Sequence, residues 1–64
     1  MKGIPLVGDA ILVGPDDSDP ERWYLGTVEE VSDAEILVRV PEHPKAELVA
    51  VRLEKRGEDW DTLK

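Results

Sequence analysis

Cysteine is absent from this 64-residue chain. That removes disulfides, thiolate nucleophiles and cysteine-based zinc sites, and leaves a small domain to hold itself together by packing alone. Phenylalanine is also missing, so the large rings are confined to Trp23, Tyr24 and Trp60. There is a single histidine, His43, with no serine or cysteine nucleophile pattern near it, and one imidazole without partners does not assemble a catalytic triad. No apolar run approaches the roughly 20 residues needed to cross a bilayer. The opening Met1 to Val7 lacks the apolar core and cleavage site of a signal peptide, so a cytoplasmic location is the default expectation and no membrane contact is expected. Bases are scarce: eight against fifteen acids, a net charge of -7. Such a balance disfavours direct binding to a polyanion, which is attracted by basic surface and by release of its counterions.

What remains is 41% hydrophobic and 36% charged, too apolar for a disordered acidic tail. The length allows a single domain, residues 1–64. A chain this short buries only roughly 60% of the surface its unfolded form exposes, so its stability depends on a well-packed core. The acids are unevenly placed. Asp9, Asp16, Asp17, Asp19, Glu21, Glu29, Glu30, Asp33 and Glu35 face one base, Arg22, whereas Lys45, Arg52, Lys55, Arg56 and Lys64 nearly balance the last third.

The apolar residues alternate with period two, the mark of half-buried strands. A Gly8-Asp9 turn opens a first strand over Asp9 to Val13, which Gly14-Pro15 ends. A second strand runs from about Trp23 to Val31, with Gly26 marking a bend, a bulge or a close backbone approach. Ser32-Asp33-Ala34 is a hairpin connection. The third strand places Ile36, Val38 and Val40 on one face and Glu35, Leu37 and Arg39 on the other. After the loop Pro41 to Lys45, a fourth strand over Glu47 to Leu53 turns Val49, Val51 and Leu53 inward. Ala46 to Lys55 also contains good helix formers, but the period of its apolar residues favours a strand. Glu54 to Asp59 reads as a turn or a single helical turn, and Trp60 to Leu63 as a short closing strand. The expected class is all-β.

Candidate sites lie in the loops. Asp16, Asp17, Asp19 and Glu21 form an exposed acidic loop. It does not follow the EF-hand pattern: counted from Asp17, position six is Arg22 instead of glycine, and position twelve is Val28 instead of a bidentate glutamate. No metal and no cofactor are expected, and the acids are read as a flexible loop able to dock on a basic partner. Trp23 and Tyr24 are adjacent on a strand and so face opposite ways, one capping the core and one exposed. Trp60 covers an open end. Glu29 and Glu30, read as pointing to opposite faces, are no acid–base dyad. Gly3, Gly8 and Gly14 fit no phosphate-cradling fingerprint. A small valine-filled domain has little room for a concave active site, so no enzyme is expected.

The set Gly8-Asp9-x-Ile11-x-Val13, Trp23-Tyr24-x-Gly26-x-Val28-x-x-Val31 and Ile36-x-Val38-x-Val40 resembles the SH3-like small barrels, in particular the KOW and Tudor groups. The resemblance covers roughly two thirds of the chain and rests on the spacing of common residue types. It implies a five-stranded antiparallel barrel used for binding. KOW domains meet RNA or the transcription and translation machinery through basic loops, whereas the matching loop here is acidic. Tudor domains hold methylated lysine or arginine in a cage of three or four rings, and this chain has only Trp23, Tyr24 and Trp60 to offer.

The leading functional expectation is a protein-interaction module. A protein partner with a basic surface would dock on Trp23, Tyr24 and Trp60, steered by Asp16, Asp17, Asp19 and Glu21. An alternative is an acidic mimic of nucleic acid, of the kind made by phages and mobile elements. KOW-like nucleic-acid binding through Arg52, Lys55 and Arg56 comes third.

Overall fold

Alternating side chains impose one organising requirement on these strands: each must find a common apolar layer for its inward set. In the computed structural model, which describes residues 4–63, five strands do so. They are β1 (Ala10–Val13), β2 (Tyr24–Val31), β3 (Glu35–Arg39), β4 (Leu48–Arg52) and β5 (Trp60–Thr62), with a 3-10 turn at Leu53–Lys55 between the last two. Lys64, counted above among the C-terminal bases, lies outside the described residues. Every pairing is antiparallel, in the order β4-β3-β2-β1-β5. The fold is all-β. No helix among the described residues is long and apolar enough to cross a membrane.

The inward set is Ile11, Val13, Tyr24, Val28, Ile36, Val38, Val40, Val51 and Trp60, with Val49 and Leu53 packed against it. Residues 46–55 therefore form a strand and a short turn, as the period-two spacing of Val49, Val51 and Leu53 requires. Trp60 is only 1% exposed, the largest side chain in the core. Its indole Nε1 donates to the carbonyl oxygen of Arg52 at 2.9 Å. That bond joins the start of β5 to the end of β4, the two outer strands of the sheet. No strand ladder connects them, so the sheet is open.

Two glycines fix the path. Gly8 has φ +96°, in the left-handed region that side chains disfavour. It sits in a turn where Asp9 N donates to Leu6 O at 2.9 Å and Leu6 N donates back to Asp9 Oδ2 at 2.8 Å. Gly26 meets a different demand. A Cβ there would lie 2.5 Å from Val38 Cγ1 and 2.9 Å from Val40 Cγ2, so β2 and the end of β3 approach too closely for any side chain.

Of the three alternatives at Gly26 the structure shows the close approach, and a bulge falls three residues later. Val28 pairs with Val38 but Glu30 pairs with Leu37, which leaves Glu29 as the extra residue. This corrects the expectation for the two glutamates. Because Leu37 faces outward, Glu30 does too, and Glu29 reaches Arg39 on the same outer face at 2.8 Å. An inserted residue breaks strict alternation, and nothing in the residue types around Glu29 announces it.

Candidate functional site

In an antiparallel meander, alternate connections share an end of the sheet. Here the β1–β2 loop, the β3–β4 loop and the turn before β5 meet at one end. Gly14 N donates to Asp59 O at 3.0 Å, and Lys45 Nζ lies 2.6 Å from Asp17 Oδ2. The loops at that end carry Asp16, Asp17, Asp19, Glu21, Glu42 and Glu47, and the Gly14 bond brings Asp59 to them.

The acidic loop is built of successive turns and is not the loose segment its composition suggests. Asp16 N donates to Arg22 O at 2.9 Å, Asp19 N to Asp16 O at 3.2 Å and Arg22 N to Asp19 O at 2.9 Å. The aspartates reinforce this by accepting from the backbone two residues on, Asp16 from Ser18 N and Asp19 from Glu21 N at 3.1 Å. Aspartate is suited to that role because its short carboxylate reaches its own following backbone.

Tyr24 is the buried member of its pair, 7% exposed, and Trp23 is half-buried. The Tyr24 hydroxyl donates to Asp16 Oδ2 at 3.0 Å. Burial first, and then that bond to a carboxylate, push the phenol above its ordinary value of 10.0. The guanidinium carbon of Arg22 lies 5.2 Å from the ring centroid, and the His43 ring is tilted at 54° with centroids 5.6 Å apart. The three large rings do not form a cage. Trp60 is enclosed in the core, which removes it from the surface residues expected to meet a partner, and the close ring pair is Tyr24 with His43.

Across from Tyr24, His43 Nδ1 accepts from the backbone N–H of Lys45 at 3.1 Å and of Ala46 at 3.3 Å. This holds the β3–β4 loop so that Lys45 reaches over to Asp17. The ammonium keeps the Asp17 carboxyl below its ordinary value of 3.8, first by hydrogen bonding and then by charge. In return the carboxylate raises Lys45 above 10.5. Between the loops runs an open groove of about 200 Å³, bounded by residues 14–17 on one side and 43–45 on the other, with Tyr24 at its back.

No family model matches this chain, and no curated protein or solved structure does.

The remaining charges are largely spoken for. Arg52, Lys55 and Arg56 lie within 3.4 Å of Glu54, Glu58 and Asp61 respectively. At the acidic end Arg22 covers Tyr24 and Lys45 pairs with Asp17, while no described base lies within ion-pair distance of Asp19, Glu21, Glu42 or Asp59. Among the described residues no three potential ligands are grouped to hold a metal ion. Sequence reasoning named the acids and Tyr24 but left out His43 and Lys45. They stand 19 and 21 residues after Tyr24 in the chain, and only the parity of the strand connections brings them to the same end.

Proposed function

We propose that this chain is a protein-interaction module that docks a basic partner on its acidic end. One observation carries the reading: the converging connections bear Asp19, Glu21, Glu42 and Asp59, none of which has a described base within ion-pair distance. Carboxylates so arranged raise the association rate for a positively charged surface and make it salt-dependent. The proposed role is binding, with no catalytic step. We assign the architecture to the SH3-like small barrels. Support comes from the strand order, the close approach at Gly26 and the Trp60 bond that spans the outer strands.

The test is pull-down from a lysate of the source cell, followed by binding of the recovered partner at several salt concentrations. Asp19→Asn, Glu21→Gln and Glu42→Gln combined should slow association and flatten its salt dependence. Unchanged rate and salt response would remove the acidic end from the mechanism.

The same convergence also favours the second reading, an acidic mimic that occupies a nucleic-acid-binding groove. Competition distinguishes the two: a mimic displaces DNA or RNA from its partner in proportion to occupancy, whereas an interaction module leaves nucleic-acid binding intact.

A further inference from the structure

We propose that the outer edge of β4 receives a second copy of this chain, strand against strand and antiparallel, across a two-fold axis at Ala50. The surface and the partner are both distinct from those of the docking role.

The open sheet has two outer strands, β4 and β5, and only β5 is guarded. The turn leading into β5 covers its edge. Gly57 N donates to Trp60 O at 2.6 Å, and the Arg56 guanidinium reaches Asp61 Oδ1 at 3.4 Å and Thr62 Oγ1 at 3.0 Å. For β4 the parity of its ladder decides which backbone groups are free. Val40 N donates to Glu47 O at 2.6 Å and Leu53 N to Ala34 O at 2.9 Å, and between those bonds the register with β3 is unbroken. Hydrogen-bonded pairs alternate along an antiparallel ladder, so Val49 and Val51 commit their backbone groups to β3. Leu48, Ala50 and Arg52 turn theirs to the open side. Among the described residues, the one group that meets them there is the Trp60 indole, on the Arg52 carbonyl, which keeps a second lone pair. Proteins commonly blunt such an edge with a proline, a bulge or an inward-pointing charge, and β4 has none of these.

The side chains name the occupant. A two-fold axis at Ala50 sets Ala50 against Ala50 of the second copy, Leu48 against Arg52 and Val49 against Val51. The smallest side chain stands at the axis, and no like charges face each other. The Arg52 stem lies along Leu48 of the second copy, which is 43% exposed in the free chain, and its guanidinium comes beside Glu47. The Glu47 carboxylate is on the required outer face, since it meets the outward Arg39 at 3.1 Å. Arg52 is easily released, because its own partner Glu54 lies 3.3 Å away in a pair with 61% and 67% exposure. An unrelated strand would need an apolar and an acidic residue at matching places, whereas a second copy supplies both, twice. Five residues make a small contact of the weak class, below roughly 1,000 Å², so the dimer depends on concentration.

The experiment is sedimentation equilibrium of the full chain at about 150 mM salt, from about 10 µM to about 1 mM protein. The average mass should climb from one chain towards two. Over the same range, amide shifts of the ¹⁵N-labelled chain should change at residues 47–53. Ala50→Lys and Ala50→Glu each put like charges at the axis and should each weaken the dimer by about ten-fold or more. The Ala50 side chain is exposed, so both variants should keep the wild-type circular dichroism. Mixed in equal amounts, they should form the dimer again. Ala50→Pro removes only an outward N–H and should leave a folded monomer. A wild type that stays monomeric at the highest concentration would overturn the proposal. So would concentration-dependent shifts that avoid residues 47–53, or dimers that persist in both charged variants. Two folded, monomeric variants that fail to join when mixed would remove the axis at Ala50.

Discussion

Gly26 carries more of this fold than its size suggests. Two valine methyl groups of the third-strand segment stand where its Cβ would be, at 2.5 and 2.9 Å. Gly26→Ala must push apart β2 and the chain around Val38 and Val40, which are fully buried. Overpacking of this kind costs about 1–3 kcal/mol. A 64-residue domain has roughly 3–10 kcal/mol in total, so the loss is a substantial share of its stability. Urea denaturation should show the midpoint falling with little change in slope. Tyr24 offers a second test, because it is the only tyrosine and its phenolate absorbs separately. Burial and the bond to Asp16 place its ionisation above 10.0 in the folded chain. The unfolded chain gives up this proton more readily. The contribution is therefore complete below pH 10 and is lost as pH rises through the folded value. Ultraviolet titration should find a phenol that ionises above pH 10, and Asp16→Asn should bring it down.

At the level of elements, the pair Asp17–Lys45 links two loops that are otherwise separate in sequence. Its pH window follows from the two shifts. The Asp17 value is lowered, so its contribution is present above pH 3.8 and disappears as pH falls through the folded value. The Lys45 value is raised, so its contribution is present below pH 10.5 and disappears on the alkaline side. Amide shifts of residues 16–18 should move as pH falls through the folded Asp17 value. In Lys45→Met the acid-side movement at Asp17 should begin at higher pH.

The strands themselves were legible in the sequence. Ile36, Val38 and Val40 alternate with polar neighbours, Val49 and Val51 repeat the pattern, and all five segments form within one or two residues of their expected bounds. The strand assignment of residues 48–52 held because packing period outweighs helix propensity once a sheet is available to pair with. The bulge at Glu29 could not be read, since a register shift depends on how β3 lies alongside β2 and leaves no mark on either strand alone. The groove was half legible. Asp16, Asp17 and Tyr24 stand close together in the chain, whereas His43 and Lys45 reach them only through the folding of β2 and β3. Trp60 was half legible too: its burial agrees with a ring that covers an open end, whereas the two flanking aspartates suggested a place on the partner surface.

Considered whole, the molecule concentrates its charge. A net of -7 on so small a body repels itself, most strongly where seven acids share one end. Added salt should therefore raise the thermal midpoint at neutral pH, and Glu21→Gln should raise it too while reducing the salt effect. Differential scanning calorimetry across a salt series reads both. A midpoint that falls with salt would mean that the ion pairs outweigh the crowding of acids.

The bond from the Trp60 indole to the Arg52 carbonyl works like a clasp on an otherwise unfastened collar. Because β5 is only three residues long and its one ladder is with β1, parting that clasp leaves β1 as the single strand holding the strip and the largest ring of the interior. Small excursions of this protein should begin at that seam, far ahead of any loosening between β2 and β3.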